Sequence, residues 1–209
     1  VDAVAKTDAD TVPEVQALVD AGNITADTAL AKIANYADSN TNPAPTVQDY
    51  LDAGITGVDA ANLNAVNAKV DAVAKTDADT VPEVQALADS GNTTADTALE
   101  KIAKYADLNT NPAPTVQDYL DAGIIGVDAA NLAAVNAKVD AVAKVDADTV
   151  PEVQALADAG NTTADTALEK IANYADSNAN PAPTVQDYID AGIIGVDAAN
   201  LAAVNAKVD

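Results

Sequence analysis

Apolar residues recur three or four positions apart along the chain. Val12, Val15, Leu18 and Val19 share one helical face, and Ala26, Ala29, Leu30, Ile33 and Ala37 share another. A short stripe of Val47, Tyr50 and Leu51 follows, then a longer one of Leu63, Val66, Val70 and Val73 at heptad-like spacing. These stripes predict helices near 12–21, 26–37, 46–53 and 59–74. No stretch alternates with the two-residue period of a half-buried strand. The punctuation agrees. "TVPE" sets Thr11 three residues before Glu14 as a capping box, with Pro13 tolerated in the first turn. Gly22 and Gly54 stand where a left-handed residue ends a helix, and Thr25 and Asp59 stand as N-caps.

The pattern then repeats. "VDAVAK" begins at Val1, Val70 and Val139, and a further copy starts at Val208, giving a period of 69 residues. The organisation is therefore unit 1 at 1–69, unit 2 at 70–138, unit 3 at 139–207 and the start of a fourth at 208–209. Units 1 and 2 differ at eight positions, among them Val19/Ala88, Ala31/Glu100, Asn35/Lys104 and Ser39/Leu108. Units this uniform have not been specialised individually. Within each unit "PEVQALVDAG" from Pro13 is echoed by "PTVQDYLDAG" from Pro45, the spacing of one helical hairpin per half-unit. The expected fold class is all-α: tandem 69-residue repeats of four helices, two divergent hairpins each, stacked as an elongated solenoid or rod. Helix faces of Ala, Val, Leu and Ile, with Tyr36 and Tyr50 the only aromatics of unit 1, bury little per residue. Neighbouring repeats of the same parent chain are thus the expected partners, since a core of this size seldom stands alone.

Composition removes whole classes of function. The chain has no Cys, His, Trp, Phe or Met, its ten basic residues are all Lys, and its net charge is −23. Nucleic acid is excluded as a partner, because binding phosphates takes clustered cations. Membrane insertion is excluded as well, because no apolar run approaches the roughly 20 residues that cross a bilayer. With no His or Cys, and Ser only at Ser39, Ser90 and Ser177, no nucleophile and base can be paired, so no enzyme is expected. The chain reads as the interior of a longer polypeptide.

The candidate chemistry lies in the loops. In "DSNTNPAPTVQD", Asp38, Asn40, Asn42 and Asp49 occupy positions 1, 3, 5 and 12 of a calcium loop between two predicted helices. The same places hold Asp107, Asn109, Asn111 and Asp118, then Asp176, Asn178, Asn180 and Asp187. Against calcium, position 6 is Pro43 where the loop turns on Gly, and Asp49 is shorter than the usual Glu. The competing reading makes these residues helix ends and caps. Calcium is the one candidate cofactor. A second acidic group, Asp8, Asp10 and Glu14, precedes the first helix, where Asp is favourable without any ion. Asn23, Asn92 and Asn161 head Asn-X-Thr triplets of glycosylation-acceptor form at expected helix-helix turns.

The run "PTVQDYLDAGITGVDAANLNAVNAKV", Pro45 to Val70, resembles the tandem repeats of very large secreted surface proteins and adhesins of Gram-negative bacteria. That resemblance implies an extracellular location at the bacterial cell surface and a stalk role that projects a distant binding domain. The leading expectation is a non-enzymatic structural spacer. The alternatives are a repeated helical binding module for a host or cell-surface ligand, and a spacer stiffened by calcium.

Overall fold

The computed structural model describes residues 5, 8–38, 41–107, 111–176 and 179–209. Among them the regular structure is helical, without a strand: α1 (Val12–Asp38), α2 (Val47–Asp52), α3 (Leu63–Asp71), α4 (Val81–Asp107), α5 (Val116–Asp121), α6 (Leu132–Asp140), α7 (Val150–Asp176), α8 (Val185–Asp190) and α9 (Leu201–Val208). Short 3-10 turns at Lys75–Asp77 and Lys144–Asp146 lead into α4 and α7. No helix among the described residues is long and apolar enough to cross a membrane.

The first hairpin expected in each unit is absent. Residues 12–21 and 26–37 belong to one helix of 27 residues, and Gly22 lies inside it instead of ending it. Thr25 does not cap a second helix, because its hydroxyl donates to the Ala21 carbonyl one turn back, at 3.1 Å. Three α-helices and a 3-10 turn thus stand where four helices were expected. The reason is visible at the equivalent glycines. A Cβ on Gly91 would lie 2.6 Å from the Cα of Val66, and one on Gly160 would lie 2.6 Å from the Cα of Val135. These glycines let two backbones pass closely, which outweighs their poor helix propensity of about 1 kcal/mol.

The other boundaries follow the sequence signals more closely. Thr11 opens α1, its N–H and hydroxyl both donating to Glu14 Oε2. Gly54, at φ +79°, follows the end of α2 as expected. Asp59 accepts from the N–H groups of Ala61 and Asn62, closing a turn that comes before α3 instead of heading the helix itself.

The chain divides into two compact units, 1–93 and 94–209, and the division falls inside α4. In the first, Ala29, Ile33 and Ala37 of α1 meet Tyr50 of α2, Ile55 and Val58 of the connection, Val66 and Val70 of α3, and Val84 and Ala88 of α4. In the second, Ala98, Ile102 and Ala106 of α4 meet Tyr119, Ile124, Val127, Val135 and Val139, with Val153 and Ala157 of α7 closing the core. α8 then packs on the C-terminal part of α7 and buries Tyr188. The positions 69/70 and 138/139, where the sequence period was divided, lie within α3 and α6.

Candidate functional site

The loop after each long helix is built around one carboxylate. Thr46 is extended at φ −95° and accepts at its Oγ1 from the Asp49 N–H. The Asp49 Oδ2 accepts in return from the Thr46 N–H and hydroxyl, each at 2.7 Å, completing a capping box at the start of α2. Lys32, from the C-terminal half of α1, reaches the same Oδ2 at 2.5 Å. Partial burial alone raises the Asp49 carboxyl pKa, but the bonds from Lys32 and Thr46 outweigh it and hold the group below its ordinary value. Asp118 with Lys101 and Thr115, and Asp187 with Lys170 and Thr184, are arranged and shifted in the same way.

Behind the loop lies a buried polar chain. Tyr50 Oη donates to Asn67 Oδ1 at 2.7 Å, and Asn67 Nδ2 donates to the Pro45 carbonyl at 3.0 Å. The loop is thereby fastened to α3 through groups withdrawn from water. Burial above all drives the Tyr50 phenol pKa upward, so this hydroxyl remains a donor. Tyr119, Asn136 and Pro114 repeat the chain, as do Tyr188, Asn205 and Pro183. The one signal for Asn67 in the sequence is its place inside the apolar stripe from Leu63 to Val70, which does not reveal its partners.

Of the candidate calcium ligands, Asn40, Asn109 and Asn178 lie outside the described residues, as do the side chains of Asp38 and Asp107. Asp176 is exposed at the end of α7. Asn42 turns its amide inward and donates to the Asn35 carbonyl at 2.6 Å, and Asn111 and Asn180 do the same toward Lys104 and Asn173. Asp49, Asp118 and Asp187 are each committed to a Lys and a Thr. Among the described residues no three acids gather as a metal-binding group. In the second acidic cluster, the Thr11 hydroxyl bond first and foremost lowers the Glu14 pKa, a capping role. Asn23, Asn92 and Asn161 sit within α1, α4 and α7, not in turns. The amides of Asn92 and Asn161 face Gly57 and Gly126, with only 3.1 and 3.2 Å to where a Cβ would stand.

A crevice opens between each long helix and its loop. In the first it measures about 280 Å³ and is lined by Thr28, Lys32, Asn35, Asn42 and Pro43. Its counterparts measure about 600 Å³ beside Glu100, Lys101, Lys104 and Asn111, and about 240 Å³ beside Glu169, Lys170, Asn173 and Asn180. Their floors are alike, but their charges are not. Comparison with protein-family models, with curated proteins and with solved structures gives no match.

Proposed function

We propose that the chain is a non-enzymatic structural spacer, an extracellular stalk segment of the kind that projects a distal binding domain in large bacterial cell-surface adhesins. The observation that carries this reading is the recurrence of one set of bonds at three places. The Tyr-to-Asn bond is 2.7 Å each time, and the Lys-to-Asp bond is 2.5 Å each time. A protein with one reactive or recognition centre concentrates its unusual geometry in one place. Here the same cap, ion pair and buried chain are copied, as suits tandem 69-residue units stacked along a line.

The crevices weigh against a repeated binding module. Asn35 in the first becomes Lys104 in the second and Asn173 in the third, while Ala31 becomes Glu100 and Glu169. A ligand common to all units needs its charged contacts kept, and here they change. The strongly negative, arginine-free surface keeps such a chain dissolved and apart from other anionic surfaces.

Small-angle scattering with and without calcium tests the reading. A single compact particle of this length has a radius of gyration of about 17 Å. A spacer stiffened by packing alone gives a value well above that, unchanged by chelator. A value that collapses only in chelator replaces it with the calcium-stiffened form, and a compact particle in both buffers contradicts the spacer.

A further inference from the structure

Copies of the 69-residue period differ at few places, and the structure sorts those places sharply. Thr56 and Ile125, Asn64 and Ala133, and Thr76 and Val145 are pairs of matching positions whose residues differ, and all six are exposed. Among the described residues every other such position is exposed as well, with one exception. The place of Val19 in α1 holds Ala88 in α4 and Ala157 in α7, and both alanines are 0% exposed.

Those alanines lie where one segment meets the next. Val84 and Ala88 share a core with Ile55, Val66 and Val70, and Val153 and Ala157 share one with Ile124, Val135 and Val139. Around them the contacts use backbone or residues that do not change. Gln85 clasps the backbone of Thr56, accepting from its N–H at 2.9 Å and donating to its carbonyl at 3.1 Å. Gln154 clasps Ile125 with the same two distances, so the clasp is indifferent to the side chain at that place. Gly91 lies under Val66 as Gly160 lies under Val135, and the amides of Asn92 and Asn161 face Gly57 and Gly126. The charged differences compensate within one helix. Glu100 of α4 bonds Lys104 of α4 at 3.3 Å and Lys144 at 3.0 Å, and the lysine at that last place, Lys75 or Lys144, does not vary. The substitution of Lys104 therefore asks nothing new of the segment that follows.

We infer that the α2–α3, α5–α6 and α8–α9 surfaces are sockets of one specificity, and that the residue at the place of Ala88 decides which long helix they accept. Each socket takes the N-terminal half of α4 or of α7 equally well, because every residue that differs between those two halves faces water. The order of the segments is then free wherever alanine stands at this place. Val19 breaks the condition, since its additional methyl groups would enter a close-packed core built around an alanine. Position 88 thus acts as a specificity residue for pairing between segments. The inference rests on packing alone and stands or falls apart from the spacer reading.

Chains of the full 209 residues with segments 1–69, 70–138 and 139–207 reordered test it, through the thermal midpoint followed by far-ultraviolet circular dichroism. In the order first, third, second, both occupied sockets receive a helix with alanine at the deciding place, and the midpoint equals that of the parent. In the order second, first, third, the helix carrying Val19 enters the α5–α6 socket, and the midpoint falls by about 2–12 °C. Val19→Ala restores it in that order, whereas in the parent order the same change adds no more than the difference in helix propensity. Ala88→Val in the parent order reproduces the fall. A first-third-second chain that melts below the parent, a second-first-third chain that melts with it, a loss that Val19→Ala leaves in place, or an Ala88→Val chain as stable as the parent overturns the proposal.

Discussion

Gly91 lies inside α4, where glycine is about 1 kcal/mol worse than alanine, and the Cα of Val66 passes over it too closely for any methyl group. Gly22 holds the matching position in α1 and meets no such approach. The two therefore respond oppositely to one substitution. Gly91→Ala is expected to lower the urea midpoint, for a net loss of about 1–3 kcal/mol from overpacking against backbone. Gly22→Ala is expected to raise it, by about 0.5–1 kcal/mol. Equal shifts in the two variants would show that Val66 does not pack there. Tyr50→Phe makes a second test at this scale. It leaves the buried Asn67 Oδ1 without its donor, at a cost of about 1–2 kcal/mol, read from the thermal midpoint by far-ultraviolet circular dichroism. Neither contact was legible in the sequence, because each joins residues that only the fold brings together. A glycine after an apolar stripe reads equally as a helix end or as a packing notch, and only the helix passing over it decides.

Local signals served better for individual elements, where capping chemistry is carried by adjacent residues. Thr11 with Glu14, and Gly54 after α2, stand in the roles that their spacing implies. "DSNTNPAPTVQD" was ambiguous for a physical reason. Oxygen-bearing side chains at calcium-loop spacing are also what a capping box and a loop anchor require, and Lys32, which commits Asp49, is distant in sequence. Its carboxyl is held below the ordinary pKa in the folded chain, so its stabilising effect is complete above the unfolded value. That effect is lost as the pH falls through the depressed folded value, in the window below about pH 4. Asp49→Asn is therefore expected to lower stability at pH 7 by about 1 kcal/mol, typical of a lost cap, with the gap to the parent closing on acidification. A gap that persists unchanged at about pH 2 would mean that the ionised carboxylate is not what holds the loop. Paired substitutions act at this scale too. Lys75 donates to Asn35 at 2.5 Å, whereas in the second unit Lys104 takes the place of that Asn and would face Lys144. Glu100, in place of Ala31, binds both lysines, at 3.3 and 3.0 Å, and so removes the repulsion.

At the scale of the whole chain, what recurs is a buried core shared between the end of one long helix and the start of the next. The period was plain in the sequence, but the compact units were not, because each core is assembled out of phase with it and α4 serves both sides of the division. The proposed spacer role requires that length follow the number of copies while the bonds of each copy stay the same. The most direct measurement is the maximum dimension of the chain, by small-angle scattering, when its 69-residue segment is doubled and then tripled in number. Equal increments of length for equal additions of sequence, with an unchanged helical signal per residue, are the expected result. A dimension that levels off as copies are added, as in a chain that folds back on itself, would contradict a length-setting role.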